Sequence, residues 1–170
     1  VAVDVGRAIA LSPDGSFREL DLSDPAAPRV IAHYKRPPGI ARFSGVYRAG
    51  TRVVLFGEDG LEVVARDGAA YRRVFTLDRG VVGAVVAVEE VDGRLLAAGT
   101  RGLLRTPLDA GAPERLVDRP LRGIARSGDT LLAIDDQWLY VGSARDPRAA
   151  DFAKVAELGR GLAPRGVRIG

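Results

Sequence analysis

Apolar residues in this chain gather in short runs separated by turn-forming residues, and the runs recur at a nearly constant interval. One series of runs stands at Ala8–Leu11, Val53–Phe56, Leu95–Ala98 and Leu131–Ile134. Each follows a turn of the kind Val5-Gly6-Arg7, Ala49-Gly50-Thr51, Val91-Asp92-Gly93 or Ser127-Gly128-Asp129. Each is closed by a tight loop: Ser12-Pro13-Asp14-Gly15, Gly57-Glu58-Asp59-Gly60, Gly99-Thr100-Arg101-Gly102 or Asp135-Asp136-Gln137. Glycine suits such loops because it takes positive φ without a Cβ clash. A further run then appears at Phe17–Leu22, Leu61–Ala65, Leu103–Thr106 and Trp138–Val141, and another as at Arg29–Tyr34 and Tyr71–Leu77. Runs this short, bounded by turn residues, are predicted strands.

The interval itself carries the fold. Pro38-Gly39-Ile40-Ala41-Arg42, Arg79-Gly80-Val81-Val82, Arg122-Gly123-Ile124-Ala125-Arg126 and Arg165-Gly166-Val167-Arg168 open alike, and their glycines stand 41, 43 and 43 residues apart. Four short strands per repeat at that period predict an all-β chain, a β-propeller of four-stranded antiparallel blades. A β-sandwich has no reason to repeat at a fixed period, and an α-solenoid needs paired amphipathic helices that the pattern does not supply. The strongest helical stretch is Ala149–Leu158, read as one turn of helix before a strand. The expected blades cover 1–38, 39–79, 80–122 and 123–165, with 166–170 the first strand of another. A chain that starts and stops on the same strand type is awkward for a closed ring, because an open sheet edge invites pairing. It is therefore expected to be part of a larger ring. The alternatives are a half-ring completed by another chain, or four closed blades with a surplus strand.

The stretch Ala8-Ile9-Ala10-Leu11 through Phe17-Arg18-Glu19-Leu20-Asp21-Leu22-Ser23-Asp24-Pro25-Ala26-Ala27-Pro28 resembles the LVIVD repeat of bacterial and archaeal surface propellers. The match covers roughly residues 5–34, and later blades keep at most Ala112-Pro113 and Asp146-Pro147. The resemblance implies a propeller with an adhesive or interaction role, at a bacterial envelope or outside the cell, and it brings no catalytic residues.

Composition removes several chemistries. The chain has 170 residues, no Cys and a single His, so thiolate zinc sites, disulfides and cysteine nucleophiles are excluded. Beginning at Val1 with no Met anywhere, it is expected to be a processed product or a piece of something longer. The net charge of +3 is carried almost wholly by arginine and is interleaved: residues 1–85 hold 12 basic and 10 acidic side chains, and residues 86–170 hold 13 and 12. That is a mixed surface and not a phosphate-tracking stripe, so no nucleic acid is expected. The longest apolar run, Val81 to Val88, is broken by Gly83 and too short to span a bilayer.

Candidate chemistry is correspondingly thin. His33, predicted in an outer strand, would have to serve any Ser-His-Asp relay, and no Gly-x-Ser-x-Gly elbow accompanies it. Neither an Asp-x-Asp-x-Asp-Gly calcium loop nor a phosphate loop occurs. No catalytic residue, metal or cofactor is expected. Trp138 reads as a core or inter-blade residue, as do Tyr34, Tyr47, Tyr71 and Phe75.

The set with most chemical content is Arg79, Arg122 and Arg165, each just before a blade-opening glycine. They fall in the connections between blades, which ring the mouth of the central channel. Arg42 and Arg126 extend the set, and the loops carrying Asp14, Asp59, Arg101 and Asp135 share that face. Such arginines either hold an anionic small molecule through forked hydrogen bonds or are neutralised by neighbouring acids. The leading expectation is a non-enzymatic module that binds another protein or a surface polymer through its loops. The alternative is a sensor or enzyme domain that grips an anionic small molecule at the channel mouth.

Overall fold

The computed structural model describes residues 2–4, 6–37, 43–147 and 152–158. These form four consecutive antiparallel meanders. The first is β1 (Ala2–Asp4), β2 (Arg7–Leu11), β3 (Phe17–Asp21) and β4 (Arg29–Tyr34). The second is β5 (Phe43–Ala49), β6 (Arg52–Gly57), β7 (Gly60–Asp67) and β8 (Ala70–Asp78). After the single helical turn α1 (Arg79–Val82) come β9 (Val85–Val91), β10 (Arg94–Gly99), β11 (Gly102–Pro107) and β12 (Glu114–Val117). The fourth is β13 (Gly123–Ser127), β14 (Thr130–Ile134), β15 (Trp138–Ser143) and β16 (Ala153–Glu157). This is the blade architecture of a β-propeller. The first two blades also touch at their outer strands, through a parallel bridge of His33 with Ala70 in which the His33 amide donates to the Ala69 carbonyl at 3.1 Å.

The second strands of the inner blades are continuously apolar for a structural reason. Alternate side chains point to opposite faces of a strand, and here both faces are covered. In β6, Val53 and Leu55 pack with Ile9, Phe17 and Tyr34 of the first blade, while Val54 packs with Val88 and Leu95 of the third. In β10, Leu95 faces back towards blade two, and Leu96 joins Ile124, Leu131, Tyr140 and Phe152 of blade four. Three apolar layers thus join successive blades. Each fully buried Leu or Val contributes about 1.5–3 kcal/mol relative to its exposed state.

One expectation is corrected. The shared Arg-Gly-(Ile/Val) openings are not equivalent. Gly123 and Ile124 begin β13, but Arg79–Val82 forms α1 and the strand starts only at Val85. The Asp78 carboxylate accepts the Val81 amide at 3.1 Å and the Gly83 amide donates to the Arg79 carbonyl, which closes a helical turn. Of Ala149–Leu158, Ala153–Glu157 is β16, a strand paired antiparallel to β15, and residues 149–151, where the helical turn before it was expected, lie outside the described residues. The buried Phe152 ring packs over Gly142 and anchors the strand's start. Pro38–Arg42, Arg165 and 166–170 lie outside the described residues.

Candidate functional site

In each meander the turn between second and third strands falls on the same face as the connection to the next blade. That face carries Asp14, Asp59, Arg101 and Asp135 in its turns, together with α1. Arg79 opens α1 and donates through Nη1 to Glu58 Oε1 at 3.3 Å. Arg122 makes a forked pair with Asp136, Nε to Oδ1 at 2.7 Å and Nη2 to Oδ2 at 3.1 Å. That pair raises the Arg122 pKa and holds the Asp136 carboxyl below its ordinary range. Asp14 accepts the Ser16 amide at 3.0 Å and the Ser16 hydroxyl at 3.1 Å, which lowers its pKa.

Asp135 is the most engaged of the loop acids. It accepts the Gln137 and Trp138 amides, each at 2.8 Å, and the Tyr140 hydroxyl at 2.6 Å. Its burial pushes the pKa up, and these donors together outweigh it, so the carboxyl ends below its usual value. Arg119 stacks over the Tyr140 ring with its Cζ 3.9 Å from the centroid. Trp138 packs partly buried against the layer between blades three and four, with Lys154 Nζ 4.4 Å above its ring.

Arg79 and Arg122 therefore share the loop-bearing face, while Arg126 does not. Arg126 sits near the other end of β13, donates to the Gly128 carbonyl at 2.8 Å and makes a close bond to the Glu90 carbonyl across the seam between blades three and four. Arg42 and Arg165 lie outside the described residues. His33 is exposed in β4. Among the described residues no group of three His, Cys, Asp or Glu side chains could hold a metal ion. No helix among them is long and apolar enough to cross a membrane.

A second constellation lies between blades one and two, built on two fully buried carboxylates, Glu19 and Glu62. Glu19 accepts Arg48 Nη1 at 2.9 Å and the Tyr71 hydroxyl at 2.8 Å, with Arg66 Nη1 at 3.2 Å and Arg7 Nη1 at 3.4 Å. Glu62 accepts a close bond from the Tyr34 hydroxyl, with Arg73 Nε at 3.0 Å and the Thr76 hydroxyl at 3.4 Å. The two tyrosines cross: Tyr71 of blade two serves the carboxylate of blade one, and Tyr34 of blade one serves that of blade two. The Phe17 ring lies between them, 5.5 Å from Tyr34 and 4.8 Å from Tyr71. For Glu19, burial is the largest single influence and raises the pKa. The bonds from Arg48 and Tyr71 and the charge of Arg66 together overcome it, so the carboxyl sits below its ordinary value.

Parity carries the signal for these acids. Phe17 and Glu19 are two apart in β3, so a core-facing Phe17 carries Glu19 inward. Glu62 interrupts the apolar run Leu61–Ala65 of β7. Against the Glu19 end of the seam, at the turns opposite α1, lies a cavity of about 460 Å³ with Arg7, Arg48, Arg52 and Arg66 among its walls.

The crossed tyrosines have a measurable consequence. Burial and then the neighbouring carboxylate push both Tyr34 and Tyr71 from about 10 to about 12. A folded pKa above the unfolded one means that the stabilisation is complete below pH 10 and lost as pH rises through 12. Ionising either ring inside the fold should therefore cost on the order of 2 kcal/mol. Tyrosinate absorbance in a pH-jump titration should show three of the four tyrosines ionising only as the fold is lost, since burial and the bond to Asp135 push Tyr140 to about 12 as well, and Tyr34→Phe and Tyr71→Phe should each remove one of the three. Titration of both near their ordinary value in the native state would remove this account of the seam.

No family model matches the chain, so no family match stands behind the LVIVD likeness of the first blade, and no curated protein matches it either. Solved structures do match, and they are β-propeller-type domains. The N-terminal domain of Nup159 aligns over 91% of this chain and 41% of its own, with 13% identity and a TM-score of 0.59. A chain from the S. cerevisiae structure of Dbp5 bound to Nup159, Gle1, IP6 and ADP aligns over 89% and 40%, with 13% identity and a TM-score of 0.59. PorZ, a bacterial surface component of the type-IX secretion system of Porphyromonas gingivalis, aligns over 89% and 21%, with 12% identity and a TM-score of 0.57. The chain spans about two fifths of the first two neighbours' length and a fifth of the third. At such identities the likeness is one of fold: the chain folds as a β-propeller.

Proposed function

We propose that the chain is a non-enzymatic interaction module that binds another protein or a surface polymer through its loop-bearing face. The carrying observation is what the packing leaves exposed. The facing surfaces of successive blades are consumed in three apolar layers, so specificity falls to the loops. On that face α1 presents Val81, 40% exposed, next to the Arg79–Glu58 pair. An apolar side chain beside an ion pair suits a protein surface better than a lone anion, and Arg79 and Arg122 then belong to a mixed-charge rim. A neighbouring structure, that of Dbp5 bound to Nup159, is a protein–protein complex. PorZ, another neighbour, is a bacterial surface component, which accords with a place at the cell surface.

A photo-cross-linking residue placed at Val81 or Asp136 tests this reading in cells that make the protein. It should give adducts of discrete mass, while the same residue at Arg94, on the opposite face, should give none. Adducts at both faces alike, or at neither, would overturn the proposal.

A further inference from the structure

We propose that the face of blade one turned away from blade two holds a docking groove for an acidic segment of a partner protein, one with apolar side chains among its carboxylates. The groove starts at the β2–β3 turn on the loop-bearing face, so the inference rests on the protein-binding reading and names the chemistry of a partner.

Alternation along two strands builds the groove. Phe17 of β3 and Tyr34 of β4 are drawn into the layer shared with blade two. Their sequence neighbours Arg18, His33 and Lys35 therefore point the other way, and all three are exposed. Arg18 and His33 stand directly opposite each other in the ladder, and Lys35 follows two residues after His33. Together with Val30 and the turn residues Ser12 and Asp14 they wall a groove of about 470 Å³. Val30 is 55% exposed in it.

Charge on this face is one-sided. Among the described residues, Arg18, His33 and Lys35 make no ion pair and no side-chain hydrogen bond. Asp14 is the one acid in the wall. Ser16 already donates to both of its oxygens, the amide at 3.0 Å and the hydroxyl at 3.1 Å. The other acids of blade one are placed elsewhere. Asp4 and Asp21 lie across the ladder from Arg7, and Glu19 is buried in the seam with blade two. Asp24 accepts the Ala26 amide at 3.1 Å in the β3–β4 turn, at the opposite end of the blade. On the side of β8, which meets His33 at Ala70, Asp67 is engaged by Arg72 at 2.6 Å. Two permanent positive charges thus face one acid, and a protonated His33 adds a third.

Like charges directly opposite in a ladder are unfavourable, and a carboxylate laid between Arg18 and His33 relieves that repulsion. An arginine has five donors and a lysine three, and those of Arg18 and Lys35 are uncommitted. Val30 beside them offers apolar contact that a bare inorganic anion cannot use. A peptide that alternates carboxylates with apolar side chains uses both.

Fluorescence anisotropy of a labelled Glu-Val-Glu-Val-Glu peptide with the whole chain, at pH 7 and moderate salt, tests the groove. The controls are Gln-Val-Gln-Val-Gln and a single-stranded oligothymidylate. The acidic peptide should bind at least about fivefold more tightly than its Gln counterpart, and high salt should remove most of that advantage. The exposed double variant R18Q/K35Q should weaken binding by about fivefold or more, and V30S by about threefold. R122Q, away from the groove, should leave it unchanged. Between pH 8 and pH 6 the affinity should rise about two- to threefold as His33 gains its proton, and His33→Gln should remove that rise. Equal affinity for the Gln peptide, indifference to R18Q/K35Q, or oligothymidylate binding that R18Q/K35Q weakens as strongly would overturn the proposal. Cross-links at Val81 without any peptide binding would overturn it alone and leave the protein-binding reading standing.

Discussion

Replacing Glu19 by Ala should destabilise the protein by about 3–5 kcal/mol, the usual cost of leaving buried charge without its partner. Three arginines and a tyrosine hydroxyl converge on this one carboxylate. Its removal takes one acceptor from Arg48 and leaves the hydroxyl of the buried Tyr71 without the bond it makes to Glu19. At this chain length the loss corresponds to a fall in Tm of roughly 10 °C, read by calorimetry or urea unfolding. Glu19→Gln keeps the shape and one acceptor and should cost about 1–3 kcal/mol. Because the Glu19 pKa is held below its ordinary value in the fold, its contribution is present above the unfolded pKa and is lost as pH falls through the folded one. Wild type and the Gln variant should therefore converge in stability in acid and separate above pH 5. A cycle with Tyr71→Phe should show coupling of about 0.5–3 kcal/mol. Additive losses would mean that the crossed seam is not a unit.

The second large effect is expected at a glycine. Gly102 has φ +90, and a Cβ there would sit 1.9 Å from the Val117 carbonyl oxygen, inside the β11–β12 ladder. Gly93, in the β9–β10 turn, has φ +74 and nothing within 4 Å of where its Cβ would be. Ala at position 93 meets conformational strain alone and should cost about 1 kcal/mol. At position 102 the same strain comes with a backbone clash that only displacement of β12 relieves, so Gly102→Ala should cost about 3 kcal/mol or more. Urea unfolding of the two variants side by side gives the comparison. Equal losses would show that the ladder yields without cost, contrary to the packing of Val117 in the layer between blades three and four.

The period and the turn glycines were enough to read the blades. Each second and third strand was expected within two residues of where it lies, because hairpin turns and apolar runs are local signals. The misreading has a local cause too. Asp78 caps a helical turn that the shared Arg-Gly-(Ile/Val) opening conceals. At the loop-bearing face, the arginines at 79 and 122 stand where the blade openings put them, and the acids that engage them, Glu58 and Asp136, come from tight loops of the neighbouring hairpins.

The Glu19 seam was not legible in that way. Residues 7, 19, 48, 66 and 71 belong to five strands of two blades, and no spacing links them. Within Phe17–Asp21 parity puts Glu19 on the face of Phe17, but it does not say that this face is covered. Glu19 is buried only because Phe17, two residues earlier, is drawn into the layer shared with Tyr34 and Tyr71. Sequence by itself thus determined the element type, the repeat and the positions of the turns, since these follow from backbone preference and from the alternation of side chains over a few residues. Which charges meet and which carboxylates lose their water were decided by the packing of one blade against the next. Those are contacts between distant residues, and their energies depend on burial, which exists only once the blades have closed on each other.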